Sequence, residues 1–211
     1  MHLFIEQLWT NPPEFFGIAL LVVFSISCHE FMHAYAALKL GDDTAARAGH
    51  LTLNPFRQMG PWSLVMFAFF GLAWGQVPVN RANLRGRGGC VLVSLAGVTA
   101  NLVLAVLFAL LTAAVAKMLP GESKFACGMF AYGSALNFTL LALNLLPVPG
   151  LDGWAALDAL FPRLRRQDSE WVKGTFFVLF MLALLGIRYL FALGWAAAAV
   201  TVQLFLACFF P

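Results

Sequence analysis

Charge is scarce in this sequence: only 11% of its 211 residues are Asp, Glu, Lys or Arg, where an ordinary soluble domain carries about 25%. With 61% hydrophobic residues, neither a soluble globule nor a disordered chain fits. The net charge of +3 is too small and too scattered for a nucleic-acid footprint, so no nucleic-acid partner is expected. Cysteine is sparse as well. Cys28, Cys90, Cys127 and Cys208 stand singly without C-x-x-C spacing, which favours small buried hydrophobes over a disulfide framework. No basic leader precedes the first apolar stretch, which contains His29, Glu30 and His33, so a cleaved signal peptide is not expected.

What remains is long and apolar. Windows free of all four charged residue types cover 15–29, 58–80, 88–116, 125–151, 174–187 and 189–211. Several exceed the roughly 20 apolar residues needed to cross a bilayer. The fold class expected is all-α, a polytopic membrane protein of about five or six apolar segments, forming a single domain over 1–211. Its motif-bearing core is expected at about 12–160, with C-terminal apolar segments at about 172–210.

Asn11-Pro12-Pro13 predicts the start of a first helix, because proline suits the first helical turn, and Leu40-Gly41 predicts its end. Gly49 to Pro55 reads as a short extended segment. The apolar stretch Trp62 to Trp74 has only 13 residues, a length that suits a re-entrant segment better than a span. Further helices are expected at about 90–116 and 125–146, then a Pro/Gly-broken segment 147–153 and two C-terminal stretches divided near Arg188 or Gly194.

The basic residues test that topology. If 62–74 turns back, Lys39, Arg47, Arg57, Arg81, Arg85, Arg87, Arg163, Arg165, Arg166 and Lys173 share one side, leaving Lys117, Lys124 and Arg188 opposite. If it crosses, the 13 divide 6 to 7 and the bias of cytoplasmic loops disappears. The chain is therefore expected in the cell membrane with its N-terminus outside and those three loops in the cytoplasm.

His29-Glu30-Phe31-Met32-His33 is an H-E-x-x-H arrangement, whose histidines project from one helical face and can grip a zinc ion. Glu30 would then take a proton from water whose pKa the metal lowers to about 7, and pass it to the leaving amine. The bland alternative is that the three side chains satisfy one another in a helix bundle. Ionisable residues inside a span cost roughly 2.5–3.5 kcal/mol or more each, which favours function. A catalytic zinc needs a third protein ligand, and Asp152 follows a long uncharged span at Asn144-Leu145-Leu146-Pro147-Val148-Pro149-Gly150-Leu151-Asp152-Gly153. Alternatively Asp152 merely caps the next helix. The re-entrant topology puts His33 and Asp152 near the same face, as ligation requires.

H-E-F-M-H at 29–33 and N-L-L-P-V-P-G-L-D-G at 144–153 resemble the two motifs of the site-2 proteases, which are intramembrane zinc metalloproteases. The resemblance also takes in Gly49 to Pro55 and Ala96-Gly97-Val98-Thr99-Ala100-Asn101, and spans roughly 15–160. It implies that His29, His33 and Asp152 hold one Zn2+ per chain, that Glu30 is the catalytic base, and that three helices bearing these motifs form the core. Members commonly have glycine-proline where this chain has Gly97-Val98. The form resembled is minimal, without an appended regulatory domain.

Asn101 and Asn144 have two readings, interhelical hydrogen bonding or contact with substrate backbone or the oxyanion. Asn137 and His50 read as structural, and Trp62, Trp74, Trp154 and Trp171 as interfacial or lipid-facing. The function expected is hydrolysis of a peptide bond in or near a transmembrane helix of another protein, with that protein and the bilayer as partners. The extended piece 49–55 or the re-entrant piece 62–74 could pair with the unwound substrate. The rival reading is a membrane transporter or sensor for zinc, disfavoured because 90–116 and 125–146 contain no ionisable residue.

Overall fold

A computed structural model describes residues 3–119, 123–161 and 185–209, together with 174, 178, 179, 181 and 182. Its main helices are α1 (Pro12–Lys39), α2 (Gly60–Phe70), α3 (Gly86–Met118), α4 (Lys124–Asn144), α5 (Asp152–Leu160) and α6 (Ile187–Phe209). No strand occurs among the described residues. The chain is an all-α polytopic membrane protein: α1, α3, α4 and α6 are each long and apolar enough to cross a bilayer. The first of the two C-terminal stretches lies largely outside the described residues.

α1 begins where Asn11 accepts a hydrogen bond from the Glu14 amide and Pro12 and Pro13 fill the first turn. It ends at Gly41, whose φ of +108° is a left-handed conformation that favours glycine. Leu21, Leu104, Phe108 and Leu136 join α1, α3 and α4 into the core. Ala34, Ala105, Ala109, Ala113 and Ala135 are fully buried. Lipid is as apolar as leucine, so close backbone approach at such small residues holds the bundle together.

α6 packs against α4 through Gly194, where an added methyl group would strike Thr139 and the Ala135 carbonyl. Gly194 is thus an interior contact; of the two expected positions the turn falls near Arg188, at Gly186 immediately before α6.

The 62–74 stretch does turn back. At 1.5 Å per residue α2 extends only about 16 Å, half the hydrocarbon thickness, and Gly71 ends it with φ +73°. The chain then returns over 72–80 without helix. Ser63 Oγ accepts from the Trp74 amide (2.9 Å) and donates to the Trp74 carbonyl (2.7 Å), and the Gln76 amide bonds the Gln58 carbonyl (3.0 Å). By residue 76 the path is back beside the start of α2.

The extended piece expected at 49–55 is instead a turn. Buried Gln58 folds it by donating from Nε2 to the carbonyls of His50 (2.8 Å) and Thr52 (2.5 Å), which a straight strand could not bring to one amide. The longest non-helical stretch between the first two core helices is 72–80. Its far end is held by Asp42, which accepts from the Asn80 amide (2.6 Å) and Asn83 Nδ2 (3.1 Å), and by an Arg81–Asp158 ion pair to α5.

Candidate metal centre

His29 and His33 leave the same face of α1, and their Nε2 atoms stand 3.0 Å apart. Asp152, the first residue of α5, brings Oδ2 to 3.0 Å from His29 Nε2 and Oδ1 to 3.2 Å from His33 Nε2. A tetrahedral ion with bonds of roughly 2.0–2.1 Å separates its ligand atoms by about 3.3 Å. The spacing is that of a ligand set.

The far sides of the imidazoles decide what the near sides can do. His29 Nδ1 donates to Asn101 Oδ1 (2.6 Å) and His33 Nδ1 to the Val93 carbonyl (2.7 Å). Those oxygens can only accept, so both rings carry a proton on Nδ1, and as neutral imidazoles they present lone pairs at Nε2. The lone pairs face each other and a carboxylate whose buried Oδ2 has no hydrogen-bond partner. Such an arrangement repels itself unless a cation lies among its members. Two imidazole nitrogens and a carboxylate, with a further position toward a cavity, are a donor set that zinc accepts. His29, His33 and Asp152 form a possible metal-binding group.

The broken end of α4 explains the position of Asp152. Gly150, at φ +95°, turns the chain out of the Pro147–Pro149 segment. Gly153 then lies so close to the end of α4 that an added methyl group would collide with the backbone of Leu145 and Leu146. Leu151 occupies the cap position without a side-chain hydrogen bond, so the Asp152 carboxylate is free to turn toward the histidines instead of capping α5.

A cavity of about 360 Å³ opens on this group, bordered by Glu30, Asn144, Gly150 and the segment Trp74–Val77. Glu30 is buried beneath that segment: a methyl group added at Gly75 would overlap its carboxyl. Trp74 therefore borders the cavity besides facing outward. Asn144 also borders it, donating one Nδ2 hydrogen to the Leu140 carbonyl (3.0 Å).

Asn101 also borders this cavity. It is fully buried behind His29, its oxygen taken by the imidazole and its Nδ2 donating to Asn137 Oδ1 (3.0 Å). Its geometry orients a ligand. His50 bonds Gln58 and takes no part in the group.

Gly97 is a site residue that pattern reading missed. A methyl group there would collide with His33 Nε2 and stand 2.6 Å from His29 Nε2. The α3 backbone is the wall against which both rings rest, and α3 runs through Gly97-Val98 as unbroken helix. A glycine inside a helix costs about 1 kcal/mol relative to alanine, and that cost was the available signal.

No family model matches the chain, and no solved structure matches it. Curated relatives do. The chain is 35% identical to the Bacillus subtilis protein named "Putative zinc metalloprotease YwhC", over 78% of each chain. It is 37% identical to each of two proteins named "Putative zinc metalloprotease Rip2". In the one from Mycolicibacterium smegmatis the match covers 70% of this chain and 60% of the relative, and in the one from Mycobacterium tuberculosis 76% and 63%. The chain thus spans less than two thirds of the mycobacterial relatives. Joined to the paired imidazoles of α1 and the carboxylate at the broken end of α4, these likenesses show that the chain belongs to the site-2 protease family of zinc metalloproteases.

Proposed function

We propose that this protein is an intramembrane zinc metalloprotease that hydrolyses a peptide bond in or near a transmembrane helix of another membrane protein. The observation that carries the reading is the convergence of two Nε2 lone pairs and an orphaned carboxylate oxygen within a membrane-crossing helix bundle. Counting at 1.5 Å per residue, His33 lies roughly 9 Å and His29 roughly 15 Å inside the C-terminal end of α1, a helix long and apolar enough to cross a bilayer.

His29, His33 and Asp152 would hold one zinc ion, which when bound supplies a Lewis acid and brings the pKa of attacking water to about 7. The chain supplies the rest. Glu30, buried beside the ligands, accepts the proton of the attacking water at a carboxylate oxygen and delivers it to the leaving amine. The second Nδ2 hydrogen of Asn144 is placed to steady charge developing on the scissile carbonyl.

A substrate helix must unwind before its carbonyls can be attacked, since they are already hydrogen-bonded. The 72–80 segment offers an edge to receive it. Trp74, Gln76 and Asn80 turn their amides to Ser63, Gln58 and Asp42, while those of Gly75 and Val77 have no protein partner among the described residues. That alternation leaves the Gly75 and Val77 amides available to an added peptide, and both residues border the cavity. The basic-residue bias supports an N-terminus outside and a site toward the cytoplasmic side.

The test is cleavage of a single-span protein in vesicles. Wild type should cut it, a zinc chelator should stop the reaction, and Glu30→Gln should be inactive with its zinc retained. Cleavage by Glu30→Gln at the wild-type rate would refute the reading, as would uptake of zinc into vesicles without proteolysis.

A further inference from the structure

Behind His29 runs a chain of side chains that the proposed chemistry does not use. Asn101 donates from Nδ2 to Asn137 Oδ1 (3.0 Å), and Asn137 donates from Nδ2 to Ser25 Oγ (2.9 Å) and to the Gly133 carbonyl (2.9 Å). Asn101, Asn137 and Ser25 are all completely buried, so water cannot substitute for any of them. The three come from α3, α4 and α1.

The direction of this relay is fixed at one end. A backbone carbonyl can only accept, so Asn137 must turn its Nδ2 to Gly133 and its Oδ1 to Asn101. Asn101 must then offer Nδ2 to Asn137, which leaves Oδ1 for His29. An oxygen at 2.6 Å from Nδ1 requires the imidazole proton there, and in the neutral ring Nε2 is then the bare nitrogen toward Asp152. His33 needs no such relay, because the Val93 carbonyl does the same work directly. The two rings reach one tautomer by different means, one through backbone and one through three side chains.

We propose that Asn137, backed by Ser25, is a positioning residue for the metal centre: it sets the direction of the Asn101 amide and thereby holds His29 in the form that ligates through Nε2. The proposal rests on the metal-centre reading above. Outer partners of metal-ligating histidines are worth roughly 10–100-fold in metal affinity, and a residue one step further out should sit near 10-fold.

The test uses the full chain in detergent, with zinc affinity measured by chelator competition and histidine tautomers by nitrogen-15 NMR of the metal-free protein. Asn137→Leu should bind zinc about 10-fold more weakly and show mixed tautomers at His29 with His33 unchanged. Asn137→Asp, which keeps an oxygen toward Asn101, should recover most of that affinity. Thr112→Val removes a buried α3 hydroxyl bonded only to the Phe108 carbonyl and should change neither readout. Wild-type affinity and tautomers in Asn137→Leu would overturn the proposal, and so would an equal loss in Thr112→Val. Should the leucine variant not fold, Asn137→Ser, too short to reach Asn101, is compared with Asn137→Asp, and equal affinity in those two would overturn it. Failure of the wild-type protein itself to bind zinc would instead refute the metal centre.

Discussion

The helical core and the excursion between α1 and α3 are held together by opposite means. In the core, small residues such as Ala105, Ala109 and Ala135 bring helices into close contact, and polar groups appear where they orient the candidate metal ligands. The 41–85 excursion has few buried apolar groups and is stitched by polar ones: Ser63 and Gln58 at one end, Asp42 and the Arg81–Asp158 pair at the other. The core builds the candidate ligand set, and the excursion lays the 72–80 segment beside it. Breaking either should therefore produce a different failure, loss of metal in one case and loss of substrate handling in the other.

The sharpest break in the core is Gly97→Ala, whose methyl group falls on both imidazoles. Zinc affinity should drop by at least about 100-fold with the helices still formed, as read by elemental analysis and circular dichroism. Asp152→Ala should do the same by removing a ligand. In the excursion, Gly75→Ala pushes the 72–80 segment off the Glu30 carboxyl. Displacements of about 1 Å cost around 10²-fold in rate, so cleavage should fall by about that factor with zinc content unchanged. A parallel loss of metal would erase the distinction between the two regions.

Ser63→Ala leaves the Trp74 amide and carbonyl without their shared partner, worth about 1–3 kcal/mol. Amides of 72–80 should then exchange faster by roughly 10-fold for each 1.4 kcal/mol lost, while α3 and α4 stay protected.

The smallest effect concerns acid. Burial alone would raise the pKa of Asp42, but hydrogen bonds from Thr44, Asn80 and Asn83 outweigh it and hold the carboxyl below the ordinary carboxylate range. A lowered pKa stabilises the fold above the unfolded value of 3.8, and the gain is lost as pH falls through the folded value. Exchange in 72–85 should accelerate below the usual carboxylate range in wild type and change less in Asp42→Asn.

The same contrast explains how much of the molecule was legible in its sequence. α1 runs Pro12–Lys39, one residue short of Leu40, because Asn11, the prolines and Gly41 are local signals. The two motifs marked the residues that meet at the cavity, since i, i+4 spacing and an isolated aspartate after an apolar run are visible in one dimension. The excursion was misread at 49–55, where Leu51-Thr52-Leu53 alternates like a strand but Gln58 folds it into a turn. The 72–80 stretch takes its partners from side chains as distant as Asp42, which no local pattern announces. Asn101 was placed in a membrane helix correctly, but the side of His29 on which it stands depends on helix packing. Gly97 and Gly75 matter for what they leave empty, and an absent side chain makes no periodic pattern.

The central claim is that a zinc ion sits between α1 and the start of α5, and X-ray absorption of the zinc-loaded protein tests it most directly. The account predicts two imidazole nitrogens with oxygen completing the shell at about 2.0–2.1 Å, and loss of one imidazole in His33→Ala. Sulfur scattering at about 2.3 Å, or a shell without paired imidazoles, would contradict it.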